Sequence, residues 1–169
     1  MTIPQQIIQA IKNKDVKLLK ELLSKNPDIT HVVTPLGSWL HIATRHNAKE
    51  SVEFLLEQGI DVNIEGGVSN SGPINAAASE GYTELVKFYL EKGAILDTSE
   101  PEKNPLFSAI HNGHVDVVKM LLDANIDTSI KYSGSTMENM DALAFAKEWG
   151  RTDIVNMLIE HNKSKGLQL

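Results

Sequence analysis

The feature that most constrains this chain is that it repeats itself. Five segments of its 169 residues align: IIQAIKNKDVKLLKELLSKN from Ile7, LHIATRHNAKESVEFLLEQG from Leu40, INAAASEGYTELVKFYLEKG from Ile74, LFSAIHNGHVDVVKMLLDAN from Leu106 and LAFAKEWGRTDIVNMLIEHN from Leu143. Their starts are 33, 34, 32 and 37 residues apart. A unit of that size cannot bury its own apolar face, so it stacks on its neighbours, and the chain is expected to be an all-α solenoid.

Inside each unit the pattern reads helix, turn, helix. The second helix is the clearer one: Leu18, Leu19, Leu22 and Leu23 recur as Leu85, Val86, Tyr89 and Leu90, as Val117, Val118, Leu121 and Leu122, and as Ile154, Val155, Leu158 and Ile159. Spacing of i, i+1, i+4, i+5 lays one apolar stripe along a helix. In the first helix the fourth residue of every segment is alanine (Ala10, Ala43, Ala77, Ala109, Ala146), and a small side chain there lets adjacent helices approach closely. Ser51 stands at an apolar position of the second repeat and marks an expected soft spot.

The turns make the same case from backbone geometry. Past the first helices come Lys14, Asn47, Gly81, Gly113 and Gly150, and past the second come Asn26, Gly59, Gly93, Asn125 and Asn162. All but Lys14 are Gly or Asn, which tolerate the left-handed conformation that ends a helix, so the first turn is expected to be looser. Thr2 and Gln5 stand at capping-box spacing with Pro4 in the first turn, an expected helix start.

With those residues in view, LHIATRHN, PINAAASEGYTELVKFYLEKGA and NPLFSAIHNGHVDVVKMLLDANID resemble ankyrin repeats over about residues 4–162. The resemblance implies stacked helix-turn-helix units joined by hairpin-like loops, with repeats at about 4–33, 34–67, 68–99, 100–136 and 137–162 and a frayed tail over 163–169. Departures from the family pattern are informative. Trp39 stands where proline usually starts the helix and is expected to pack over the edge of the first repeat, while Gly72, Asn104 and Asp141 replace the usual threonine and suggest weaker caps. Residues 65–72 and 130–141 are longer links than usual and are expected to project as fingers, and insertions in solenoids often lie on the binding face.

Composition narrows the function. There is no cysteine, which excludes disulfides, a thiol nucleophile and Cys-based metal sites. No secretory signal pattern and no membrane-length apolar run is visible, so a cytoplasmic location is expected. A net charge of −6 disfavours nucleic acid as the ligand, since phosphate binding needs excess Lys and Arg. The first 33 residues hold Lys12, Lys14, Lys17, Lys20 and Lys25 against Asp15, Glu21 and Asp28, so the remaining repeats are the acidic part. That favours a basic protein partner there, with no nucleic acid, no membrane and a monomeric chain expected.

Few residues stand in patterns that carry chemistry. The chain carries no Gly-rich phosphate loop, no HExxH and no GxSxG motif, so no catalytic residue, cofactor or metal ligand is assigned and no enzyme is expected. His111 and His114 are spaced like a ligand pair but have Gly113 between them, and His114 falls on the turn histidine of the resembled pattern. His41 is expected to bond the preceding turn, with Ser38 as partner. Asn162-Lys163-Ser164 is a glycosylation sequon in form only.

The resemblance implies that recognition falls on the concave surface, made of first-helix ends and hairpin tips. Those are Lys12 and Asn13, Arg45 and His46, Ser79 and Glu80, His111 and Asn112, and Glu148 and Trp149, with Val68, Ser69, Ser71, Glu100, Pro101, Lys103, Met137, Glu138 and Met140 on the tips. The leading partner-binding candidates are Arg45, His46, Ser79, Glu80, Lys103, His111, Asn112, Met137, Met140, Glu148 and Trp149. Trp149 has two readings, a lid over the chain end or an anchor for a partner. The expected function is protein binding. Its small size also resembles the ankyrin proteins that bacteria encode as immunity factors, which implies a toxin masked by occupation of its surface. A metal-dependent regulator or enzyme using surface His46, His111 and carboxylates is the alternative.

Overall fold

A computed structural model of the protein describes residues 1–167. Among the described residues ten α-helices run in five pairs: α1 (Ile3–Lys12) with α2 (Val16–Lys25), α3 (Trp39–Arg45) with α4 (Lys49–Glu57), α5 (Pro73–Glu80) with α6 (Thr83–Glu91), α7 (Pro105–Asn112) with α8 (Val115–Asp123), and α9 (Ala142–Glu148) with α10 (Thr152–Ser164). Contacts run from α1 to α3, α5, α7 and α9 in turn, and α2–α4, α6–α8 and α8–α10 form the layer behind. Links between pairs carry two antiparallel hairpins, β1 (Val33–Thr34) with β2 (Gly37–Ser38) and β3 (Tyr132–Gly134) with β4 (Met137–Met140). A single bridge, Gly66 to Ser71, closes a third finger.

The core lies between the two helical layers. All five alanines of the first helices are buried, as are Leu19, Val52, Leu85, Val86, Val117, Val118, Ile154 and Leu158 from the second. Ser51, at the position the sequence marks as soft, is buried. Leu18 departs from the stripe and is exposed, since α2 closes one end of the stack and has a neighbour on one side only. Trp39 is fully buried, and its Nε1–H donates to the Ile29 carbonyl at 2.7 Å, fixing the short 3-10 turn Pro27–Ile29.

Several turns and caps differ from what the sequence predicts. Lys14 is no exception among the turns, because it takes the left-handed conformation with φ 56°. Asn26 does not take it, having φ −135°. Asn162 lies inside α10, buried, with its Oδ1 accepting from Thr128 Oγ1 at 2.9 Å, and the left-handed residue beyond that helix is Gly166. Residues 163 and 164 therefore continue a helix rather than fray, while residues 168 and 169 of the expected tail lie outside the described residues. The caps at Asn104 and Asp141 are not weak: each side chain accepts a backbone N–H at 2.9 Å, from Leu106 and Ala144, as expected of Asn and Asp at a helix start. Gly72 alone of the three has no side-chain cap. Thr2 and Gln5 form the expected reciprocal box.

Candidate functional site

Each first helix ends where its backbone turns left-handed, and in the last three repeats the residue after that turn reaches back toward the preceding repeat. Tyr82 Oη–H donates to the Arg45 carbonyl at 3.3 Å, and His114 Nε2–H donates to the Ser79 carbonyl at 2.9 Å. Arg151 repeats the move, donating from Nε to the Ile110 carbonyl at 3.2 Å and from its terminal nitrogen to the His111 carbonyl. These bonds satisfy the Arg45, Ser79 and His111 carbonyls at helix ends and add a second donor to the Ile110 carbonyl, which already accepts from the Gly113 N–H at 3.1 Å, and they tie the ends of α3, α5, α7 and α9 together. His114 is thus a structural clasp.

The fingers are held by a second set of contacts. His41 is the first: its Nδ1 accepts from the Ser38 N–H at 3.2 Å and from Ser38 Oγ at 2.9 Å, while Nε2–H donates to the Ser71 carbonyl at 2.8 Å. Asn75 is the second, donating to the Glu102 carbonyl at 2.8 Å and to Ser71 Oγ at 3.1 Å while accepting from Ser108 Oγ at 2.7 Å. The third is Asn104, whose Nδ2 donates to Tyr132 Oη at 3.0 Å while Tyr132 donates onward to the Thr98 carbonyl at 2.6 Å. Each of these fingers is tied to the helix pair that precedes it, so the surface they frame is preorganised.

Between the helix ends and the fingers runs a groove. Its first hollow, about 150 Å³, is lined by Arg45, Gly67, Ser69, Ser79, Glu80 and Ser108 among others. Ser69, Ser79 and Ser108 also line the next hollow, about 310 Å³, whose far wall is Phe107, His111, Phe145 and Trp149. Thr136, Phe145 and Trp149 continue into a third of about 200 Å³, closed by Met140 and Glu148. One channel therefore crosses the ends of α3, α5, α7 and α9.

Of the sequence-derived candidates, Arg45, Ser79, Glu80, His111, Asn112, Met137, Met140, Glu148 and Trp149 line this channel. Asn112 Nδ2 donates to Ser79 Oγ at 3.2 Å, joining two repeats across the floor. Arg45 lines the first hollow while its guanidinium donates to the Leu36 carbonyl, and Lys103 pairs with Glu65 at 3.3 Å, bracing two fingers together. His46 is not among the lining residues. It is partly buried, and burial first, then the charges of Lys12 and Arg45, lowers its pKa from the ordinary imidazole value. Ser71 is buried in the finger network, whereas Val68 is 97% exposed at its tip. Lys12, Asn13, Glu100 and Glu138 do not line the three hollows.

The aromatic wall is what sequence reasoning misses. Phe107 and Phe145 stack with centroids 4.6 Å apart, Tyr132 meets Phe107 edge-on at 4.9 Å, and Trp149 meets Phe145 at 6.0 Å and His111 at 4.1 Å. The two phenylalanines are buried but show one side to the groove, and Trp149 is 45% exposed. A signal was present in the alignment: Phe107 stands where the second and third repeats carry His41 and Asn75, polar residues that face the fingers. Among the described residues no group of three or more His, Asp or Glu side chains could hold a metal ion, and no helix is long and apolar enough to cross a membrane.

The architecture defines a helical repeat protein with a groove along the ends of its first helices. A family model of ankyrin repeats in three copies matches residues 74–168, and a single ankyrin repeat matches 40–66. The chain belongs to the ankyrin repeat family, whose repeats mediate protein–protein interaction. It is 33% identical over 129 residues to the glycerophosphocholine phosphodiesterase GDE1 of Candida albicans, covering 74% of this chain and 11% of that protein. To the palmitoyltransferase AKR1 of Lachancea kluyveri it is 27% identical, over 92% of this chain and 22% of the relative. A putative ankyrin repeat protein of fowlpox virus, FPV031, is 25% identical over 95% of this chain and 51% of its own length. The chain spans only part of each relative, so these matches speak for the repeats and not for the activities that two of the names carry.

Proposed function

We propose that the chain acts by binding another protein in the groove between Arg45 and Trp149, without catalysis. The observation that carries this reading is the continuity of the channel across four repeats, with a half-exposed tryptophan and two buried phenylalanines forming one wall. Exposed Trp and Arg in a preorganised hollow are what interface hot spots are made of. The carboxylates of Glu80, Glu102 and Glu148 along the channel favour a basic partner, and a cytoplasmic setting suits a chain without cysteine. Masking a toxin, as an immunity factor does, is one form this activity would take. The metal-dependent alternative has less support, because His46 sits beside Lys12 and Arg45 while His111 packs on Trp149.

Affinity capture with three forms of the protein tests the reading: wild type, Asn112→Ala with Glu80→Ala in the groove, and Lys87→Ala with Lys119→Ala on the exposed surface of the second helices. Partners held by the wild type and the second-helix variant but lost by the groove variant are expected. Loss with the second-helix variant alone contradicts it.

A further inference from the structure

The central hollow and its neighbour share Trp149, and between them they are lined by two acidic residues, Glu102 in the first and Glu148 in the second, and by no lysine or arginine among the described residues. Of the cations on the adjoining elements, Lys103 is paired with Glu65 and Asp97 and Arg151 with the carbonyls of Ile110 and His111, while the exposed Lys131 and Lys147 line neither hollow. Neither Glu102 nor Glu148 has a salt-bridge partner among the described residues. The backbone of Glu102 is fixed by Asn75, which accounts for its carbonyl and leaves the carboxylate free. Trp149 itself is held edge-on by His111 and Phe145, so a defined part of its surface meets the hollow.

We propose that this hollow is a subsite for an arginine side chain carried on an extended segment of the partner protein. The inference rests on the groove being the partner-binding surface. An indole face attracts a cation through its quadrupole, and the attraction strengthens where water is partly excluded. Two uncompensated carboxylates beside it add a complementary field and would accept hydrogen bonds from the guanidinium. Arginine fits better than lysine because its planar head stacks on an aromatic ring, is more weakly hydrated and offers a fork of donors to more than one carboxylate. At about 310 Å³ the central hollow is at the small end of ligand pockets, suited to one long side chain rather than a cofactor. Aliphatic carbons of the arginine would lie against Met137 and Phe145, and the polar floor of Ser79 and Asn112 would meet the backbone of the segment.

The test is a titration of the intact chain at about pH 8, where histidine is neutral, with three capped pentapeptides, Ala-Ala-X-Ala-Ala, in which X is arginine, citrulline or lysine. Indole N–H signals report the site directly, since Trp149 lies in the hollow and buried Trp39 serves as an internal control. The arginine peptide is expected to shift the Trp149 signal saturably and to leave Trp39 in place. Citrulline, which keeps the shape and removes the charge, is expected to bind roughly fivefold or more weakly. Glu102→Gln with Glu148→Gln should lower arginine affinity roughly threefold or more at low salt and make it less salt-dependent. Equal binding of arginine and citrulline, tighter binding of lysine, or no saturable shift at Trp149 overturns the subsite. A groove that still captures whole proteins but fails these discriminations leaves the protein-binding reading standing and removes this one.

Discussion

His41 reaches from α3 to the finger beyond it, donating from Nε2 to the carbonyl of Ser71 at 2.8 Å while its Nδ1 accepts from Ser38. Both ring nitrogens are committed in the neutral form. Protonation would turn Nδ1 into a donor facing the Ser38 N–H.

A pH dependence of stability follows from that arrangement. Burial lowers the pKa of His41 below the ordinary imidazole value; the Ser71 bond works in the opposite direction and the charge of Arg45 works with burial. His46 and His161 are lowered as well, burial being the main cause in each. A depressed folded-state pKa means the unfolded chain binds more protons, so this stability is fully present above about pH 6.5 and is lost as pH falls below it. Urea melts between pH 7.5 and about 5 should show falling stability, with a shallower slope in His41→Gln. A slope unchanged by that substitution contradicts the assignment.

Close approach of the first helices is set by their alanines. Ala109 is fully buried between neighbours, so Ala109→Leu should destabilise by about 1–3 kcal/mol through overpacking. Ala76, one position before Ala77 and partly exposed, should accept leucine at a cost within about 0.5 kcal/mol. Equal melting temperatures for wild type and Ala109→Leu would show that the stacking register is wrong.

Gly81 and Gly113 end α5 and α7 with φ 74° and 77°. At Gly81 an added Cβ would also stand 2.5 Å from Nδ1 of the His114 clasp, while at Gly113 it would meet the Arg151 guanidinium at 3.2 Å. Valine at either site should cost about 1–2 kcal/mol or more, and the loss should be larger at Gly81, where strain and clash combine. Thermal melts of the two variants side by side check the order.

Much of the fold was legible because stacking imposes a period on the sequence. The five alanines and the left-handed turns at Asn47, Gly81, Gly113 and Gly150 all fall where the alignment puts them. Lys14 shows the limit: residue identity states what a turn prefers, whereas the requirement to reverse direction after α1 places a lysine there at φ 56°. Asn162 shows another, since a helix continues through an asparagine when Thr128 from the preceding link pairs with its side chain. The groove was legible in its helix ends, which repeat. Its aromatic wall was not, because Phe107 and Phe145 occupy different positions in their repeats and come together only through the stacking of α7 on α9.

Charge along the groove gives a kinetic prediction. Replacing Glu80 and Glu148 by lysine should slow association with a basic partner, and the loss should shrink as salt rises, because both side chains are exposed and the Debye length falls to about 3 Å at 1 M. Stopped-flow association rates over a salt series measure it, and a deficit that does not depend on salt would point to lost contacts instead of lost steering.

The central claim is that the groove binds a partner through Trp149, and affinity and melting measured on one preparation of Trp149→Ala test it most directly. The account predicts a partner affinity weakened about thirtyfold, equivalent to roughly 2 kcal/mol, with the helical signal retained and little change in melting temperature. Wild-type affinity in the folded variant, with a lowered melting temperature, would contradict it and make Trp149 a lid over the final repeat.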